Sequence, residues 1–432
     1  MARRALPLMT ALLLLAPTLA RGNGAFPDAS EVLLPAGQPG TIVLGTNFGL
    51  IISDDGGATW RWTCEHDAGG FGARYQVSSG NPARLFTLGT MGFAYSDDLA
   101  CTWATPDPPD LFVLDYFPDP GKPMHVLALA DRLVDGKQAS IMLESSDGGH
   151  TLASTVFRAE EGQELGTLEV ARSDANVVYA SMSPLSGSGA SRIARSGDGG
   201  HTWEVVTPAP SPDKTSLWIA GVDPVDARTL YLRAIPRGEN EQLAISHDGG
   251  NTIELPLTVR GAMSAFVRMD DGAIVVASNY KTDGFLYRST DGGKTFAPLP
   301  SSIHPRGMAA RGASLYAATD NIADHYALGV STDQGTTWKK VMSFSDVGSI
   351  SQCGTVPATC LADCSRLAAM NVLPARACDP TADAGAPVAS PGGGGGCSCS
   401  LGARDGGGAL AAAVLLLGAL TLRARRRAGA RR

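Results

Sequence analysis

The chain has 432 residues, with 42 Asp and Glu against 35 Lys and Arg, for a formal charge of −7. Only 18% of residues are charged and 44% are hydrophobic, while 52 glycines and 27 prolines punctuate the sequence. That balance excludes a disordered chain, a multi-span membrane protein and a general nucleic-acid binder, and it favours many short strands joined by tight turns.

The first element in chain order is an address. Arg3 and Arg4 precede an apolar stretch from Ala5 to Ala16, and Thr18-Leu19-Ala20 offers small residues for cleavage. Residues 1–20 therefore read as a secretory signal peptide, cut after Ala20 with Ala25 as the second choice.

Residues 26–345 carry one octapeptide seven times, Ser-x-Asp-x-Gly-x-Thr followed by an aromatic or aliphatic residue. The copies centre on Asp55, Asp98, Asp147, Asp198, Asp248, Asp291 and Asp333, and in the second copy Ala100 replaces the glycine. Successive serines lie 43, 49, 51, 50, 43 and 42 residues apart, the length of a four-stranded propeller blade. The chemistry is that of a turn: the carboxylate and hydroxyl accept backbone N–H groups, and glycine supplies a positive φ. Two strand-like runs precede each turn, as in Thr41-Ile42-Val43-Leu44 and Gly49-Leu50-Ile51-Ile52, and the closing Thr begins another. With one earlier strand, such as Ser216-Leu217-Trp218-Ile219, each repeat makes four. A calcium loop of the EF-hand kind needs further acids and a bidentate Glu twelve residues on, which no copy has. His150, His201 and His247 fall in or beside separate copies, too far apart around a ring to share a metal, and no zinc spacing occurs. Neither metal nor cofactor is expected.

These octapeptides resemble the Asp-box, or BNR repeat, of sialidases, xyloglucan-cleaving glycoside hydrolases, sortilin-type receptors and photosystem II assembly factors. The resemblance implies an all-β, single seven-bladed β-propeller of four-stranded antiparallel blades. It also implies that the boxes are peripheral structural turns remote from any active centre, so it speaks to fold and not to activity. The Phe/Tyr-Arg-Ile/Leu-Pro motif that would open a sialidase is missing, and the two propellers of the xyloglucanase-like enzymes need more chain than one repeat set. The arginine-rich face on which the assembly factors depend has no counterpart within the repeats. No Gly-x-Ser-x-Gly elbow and no P-loop occurs either.

Eight cysteines in an exported chain read as disulfides. A Cys64–Cys101 bridge would staple the first two blades at the box that lacks its glycine. Cys353, Cys360, Cys364 and Cys378 form a cluster in residues 346–380 with three possible pairings. A metal also fits that spacing, but two internal disulfides that seal the last blade and begin a stalk are the favoured reading. Residues 381–405 are a flexible Gly-, Ala- and Pro-rich linker. Residues 406–422 are apolar or small and read as a transmembrane helix, and the Arg-rich residues 423–432 stay cytoplasmic. Cys397-Ser398-Cys399, the short apolar helix and the arginine cluster resemble the MYXO-CTERM sorting signal of myxobacterial surface proteins. That resemblance implies display at the cell surface, with processing or modification at Cys397 or Cys399.

Setting the two addresses aside leaves residues 22–422 with 26 basic against 42 acidic residues, a body of charge −16. Cationic or neutral partners suit such a body better than polyanions. The loops Pro184–Ala190, Pro236–Gln242, Tyr280–Gly284 and Asp320–Tyr326 differ from blade to blade. They carry Arg237, Glu239, Glu241, Tyr280, Lys281, Asp324 and Tyr326, a mixture suited to a polar ligand or a protein surface. The favoured reading is a non-enzymatic recognition or scaffold module at the cell surface, for protein or carbohydrate ligands. The alternative is an extracellular glycoside hydrolase.

Overall fold

A computed structural model describes residues 27–380 apart from 71, 81, 110, 135–136, 188, 212–213, 239 and 301–302. The signal peptide, the linker, the 406–422 segment, the arginine tail, Cys397 and Cys399 all lie outside the described residues. Among the described residues no helix is long and apolar enough to cross a membrane.

Seven sheets, blades 1 to 7, follow one another in chain order over residues 29–64, 74–104, 112–158, 163–206, 215–258, 262–298 and 305–342, each built from consecutive antiparallel strands. Blade 5 shows the plan, with Thr215–Val222 innermost, then Leu230–Pro236, Gln242–Ser246 and Glu254–Thr258. First strands of most neighbouring blades meet around the centre, and blade 7 closes back against blade 1. Each of the seven apolar clusters fills a seam between two blades; Tyr231, Leu243, Ile274 and Val276, for example, join blades 5 and 6. Alternating strand direction puts the Asp boxes and the first-to-second hairpins on one face, and the second-to-third hairpins on the other. All four loops singled out in the sequence are second-to-third connections, so they share the face opposite the boxes.

Blade 2 departs from the plan. Its strands are Arg74–Val77, Leu85–Gly89 and Gly92–Ser96, and the fourth position shrinks to one bridge between Tyr95 and Ala104. Pro106, Pro108 and Pro109 follow at once, and proline cannot donate to a ladder.

The cysteine pairing differs from the sequence expectation. Cys64 and Cys101 do not pair with each other; Cys64 bonds Cys360 and Cys101 bonds Cys353, across separations of 296 and 252 residues. Only Cys364–Cys378 is internal to the C-terminal cluster. The cluster docks chiefly on blade 1. Residues 349–350 add a parallel fifth strand to the outer edge of blade 1, and the helix Val356–Ala369 packs there through Val356, Cys360, Cys364 and Leu367. The reason lies in how the ring closes. Blade 1 is complete from the N-terminal side, so no strand is exchanged with blade 7. Polar ties hold that seam, with Arg306 on Asp28 and Arg311 donating to the carbonyls of Pro39 and Thr41. The C-terminal segment clamps blades 1 and 2 to the end of blade 7 and covers an exposed sheet edge.

Candidate functional site

The seven boxes share one hydrogen-bond pattern. In the first, Gly57 N donates to Ser53 Oγ at 2.9 Å, and Ser53 Oγ donates to Asp55 Oδ1 at 2.8 Å. Thr59 gives its N–H to Oδ1 at 2.9 Å and its hydroxyl to Oδ2 at 2.7 Å. Partial burial opposes ionisation of Asp55, yet the bonds from Thr59 and Ser53 win and hold its pKa at about 2. The Thr295 and Thr337 hydroxyls do the same for Asp291 and Asp333, also to about 2. Asp98, Asp147, Asp198 and Asp248 shift the same way. Box carbonyls also receive an arginine from the preceding blade: Arg195 reaches Gly249 O at 2.9 Å, Arg84 reaches Gly148 O, and Arg288 reaches Asp333 O at 3.3 Å. The box carboxylates are thus committed to structure. The box histidines are less idle than solvated turn residues: His150 Nδ1 meets the Tyr95 hydroxyl at 2.5 Å, and His247 Nδ1 meets Thr229 Oγ1 at 3.2 Å.

Carboxylates also ring the centre. Six of the seven first strands carry a bulge, which leaves a backbone N–H without a ladder partner. The preceding blade supplies one. Asp115 accepts Leu168 N at 3.1 Å, Glu169 accepts Val222 N at 3.1 Å, and Glu241 accepts Met263 N at 2.8 Å. Glu31 accepts Tyr75 N at 2.9 Å from the one first strand that has no bulge. Desolvation pushes Glu31 up to about 8, Glu169 to about 7 and Asp115 to about 6. The Asp115 charge adds to the rise at Glu169, and Arg74 opposes it at Glu31 and Asp115. All three side chains are half-buried.

On the face opposite the boxes, blades 5 and 6 form a pocket of about 630 Å³ lined by Gly238, Asn240, Gln242, Thr258, Gly261 and Tyr280. The hairpin Pro236–Gln242 and the end of strand Glu254–Thr258 make one wall, and Tyr280 of blade 6 makes the other. Asn240 Oδ1 accepts Gly261 N at 2.9 Å, and Gln242 Nε2 donates to Thr258 Oγ1 at 3.1 Å, so the polar wall is fixed. The guanidinium of Arg260 lies 5.2 Å from the Tyr280 ring centroid and 5.1 Å from that of Phe285, and Lys281 Nζ lies 5.5 Å from Tyr280. Towards the channel, the Arg233 guanidinium sits 5.8 Å from the ring of Trp218, which is 41% exposed on the innermost strand.

Of the loop residues named from sequence, Tyr280 lines this pocket and Lys281 lies against its ring. Glu241 stands behind it, buried and held by Arg233 through two bonds of 2.6 and 2.7 Å. Arg237 is exposed beside Gly238 and faces Gly187 of the blade 4 loop, and Glu239 lies outside the described residues. Asp324 and Tyr326 belong elsewhere. Asp324 is engaged by His304 Nδ1 at 2.7 Å, and Tyr326 packs against blade 7, its hydroxyl pushed up to about 12 by burial. Arg260 and Trp218 were missed, because one lies in a short crossover and the other reads as an ordinary strand residue.

The described chain is thus a disulfide-clamped seven-bladed propeller with a polar, cation-flanked pocket on the face away from its Asp boxes. No family model matches it, and no curated protein does. Among solved structures it is similar to YCF48 from Cyanidioschyzon merolae, at 16% identity over 68% of this chain and 93% of that one, with a TM-score of 0.45. It is also similar to a GH74 xyloglucanase from Xanthomonas campestris, at 14% identity over 74% of this chain and 59% of that one, TM-score 0.38. A Hadza microbial sialidase matches at 13% identity over 67% and 72% of the two chains, TM-score 0.40. These likenesses concern the fold alone, and the propeller architecture rests on the strand order given above.

Proposed function

We propose that the chain is a recognition module, exported and held at the cell surface by its C-terminal segment, which binds its ligand on the face opposite the Asp boxes at the seam of blades 5 and 6. The observation that carries this reading is a pocket whose hydrogen-bonding wall is rigid while Arg260 and Lys281, among the described residues, have no carboxylate partner. The carboxylates that acid–base chemistry would call on, Glu31, Asp115 and Glu169, instead each accept a backbone N–H of the next blade. The order of signal peptide, propeller, linker, apolar helix and arginines supports display outside the cytoplasmic membrane, with the tether leaving beside the outer edge of blade 1.

Screening the full exported chain against glycan and peptide arrays tests the reading. Binding should be lost in Trp218→Ala and Tyr280→Ala and kept in Arg228→Ala, a control on the box side. Binding that survives both face variants overturns it. Turnover of a bound glycan that disappears in Glu169→Gln would replace recognition by hydrolysis.

A further inference from the structure

We infer that the pocket at the seam of blades 5 and 6 takes a carboxylate-bearing sugar, one uronic acid unit on an otherwise neutral oligosaccharide, an inference that rests on reading this face as the recognition face. Arg260 is held in place before any ligand arrives. Its backbone N–H donates to the Tyr287 hydroxyl at 3.1 Å, its carbonyl accepts the Ser278 hydroxyl at 2.9 Å, and its guanidinium is set against the rings of Tyr280 and Phe285. Lys281 Nζ lies 5.5 Å from the centroid of the same Tyr280 ring, so one aromatic group carries two cations. Among the described residues neither cation has a carboxylate partner, and a carboxylate is the acceptor that a planar guanidinium fits best.

The rest of the wall selects what carries the carboxylate. With its oxygen committed to Gly261 N, the Asn240 amide turns its N–H donors outward. With its nitrogen bound to Thr258 Oγ1, the Gln242 amide keeps its oxygen as an acceptor. Donors beside acceptors at fixed spacing match vicinal hydroxyls, each of which does both. An acidic peptide can also be read by cations, but it offers no run of vicinal hydroxyls to match the alternating donors and acceptors of this wall. Charge settles how many carboxylates are welcome. A polyanion would meet the −16 body, whereas one isolated carboxylate interacts with Arg260 and Lys281 inside a screening length of about 8 Å.

Calorimetric titration of the full exported chain compares a xylo-oligosaccharide bearing one glucuronic acid with the same oligosaccharide unsubstituted. The acidic sugar should bind about 10- to 100-fold more tightly, the gain typical of charge-assisted hydrogen bonds. That ratio should fall towards one in Arg260→Gln, and with added salt, while the melting temperature is unchanged. Lys281→Gln, at an exposed position, serves if the arginine variant fails to fold. Equal affinity for the two sugars, lost in Tyr280→Ala, overturns the carboxylate assignment and leaves the recognition face standing. A Glu-rich peptide that binds where neither sugar does, and weakens in Arg260→Gln, overturns the saccharide in favour of a peptide. Binding of neither sugar overturns the inference alone, since the face is tested by its own ligand set.

Discussion

Removing the Cys64–Cys360 bridge should loosen the whole ring, because the seam between blades 7 and 1 has no exchanged strand to hold it. In the chain-entropy account a bridge spanning 296 residues stabilises by about 5.7 kcal/mol when it is the sole long-range link. It is not alone here. With Cys101–Cys353 intact, spanning 252 residues inside the 296, the outer bridge closes only a further loop of roughly 45 residues. Its contribution then falls to about 4 kcal/mol. The Cys64→Ala/Cys360→Ala variant should therefore lose about 4 kcal/mol, and about 5.7 kcal/mol in a background that already lacks Cys101–Cys353. Cys364–Cys378, separated by 14 residues, should be worth about 3 kcal/mol and should act on the C-terminal segment. Urea unfolding of the oxidised chain, followed by Trp fluorescence and by proteolysis of the C-terminal helix, measures all of these. A loss below about 1 kcal/mol for the outer pair, with the m-value unchanged, would refute the clamp and show that blade packing alone closes the ring.

Two further outcomes follow from the centre and the turns. Glu31, with a folded pKa of about 8 against 4.5 in a free side chain, keeps a proton that the unfolded chain has released across that window. Its contribution to stability therefore falls as pH rises from 4.5 to 8 and levels off above, the reverse of the box aspartates, whose stabilisation is lost as pH drops through their depressed pKa values. Glu31→Gln retains an oxygen for Tyr75 N, and its melting temperature should gain on the parent steadily from pH 5 to pH 8; parallel curves would contradict the raised pKa. Among the glycines, Gly49→Ala at φ +124° drives a Cβ to 2.0 Å from Thr63 O and should cost at least about 3 kcal/mol. Gly56→Ala, at φ +74° with nothing within 4 Å, should cost only about 1 kcal/mol in thermal or urea unfolding, and equal losses would show that backbone conformation, not contact, sets both.

What the sequence made legible divides along a physical line. The Asp box is local: Ser53, Asp55, Gly57 and Thr59 bond one another within seven residues, so seven copies announce both the turn and the blade period. Pro236–Gln242 and Tyr280–Gly284 stood out for the same reason, as irregular stretches between readable strands. Contacts between blades leave no such trace. Nothing around Cys64 marks Cys360 as its partner across 296 residues, and the nearer Cys101 looks better placed until the bare outer edge of blade 1 is seen. Arg260 was equally silent, because its meaning comes from Tyr280 and Phe285 on the next blade. The same holds for the bulged first strands: the carboxylates of Asp115, Glu169 and Glu241 make sense only beside an N–H that the following blade leaves unpaired. In a propeller the repeat carries the fold and the seams carry what distinguishes one ring from another. The acidic residues at the centre hold the ring together at its seams, while Arg260 and Lys281 at the seam of blades 5 and 6 are set against aromatic rings instead of carboxylates, where a ligand can reach them.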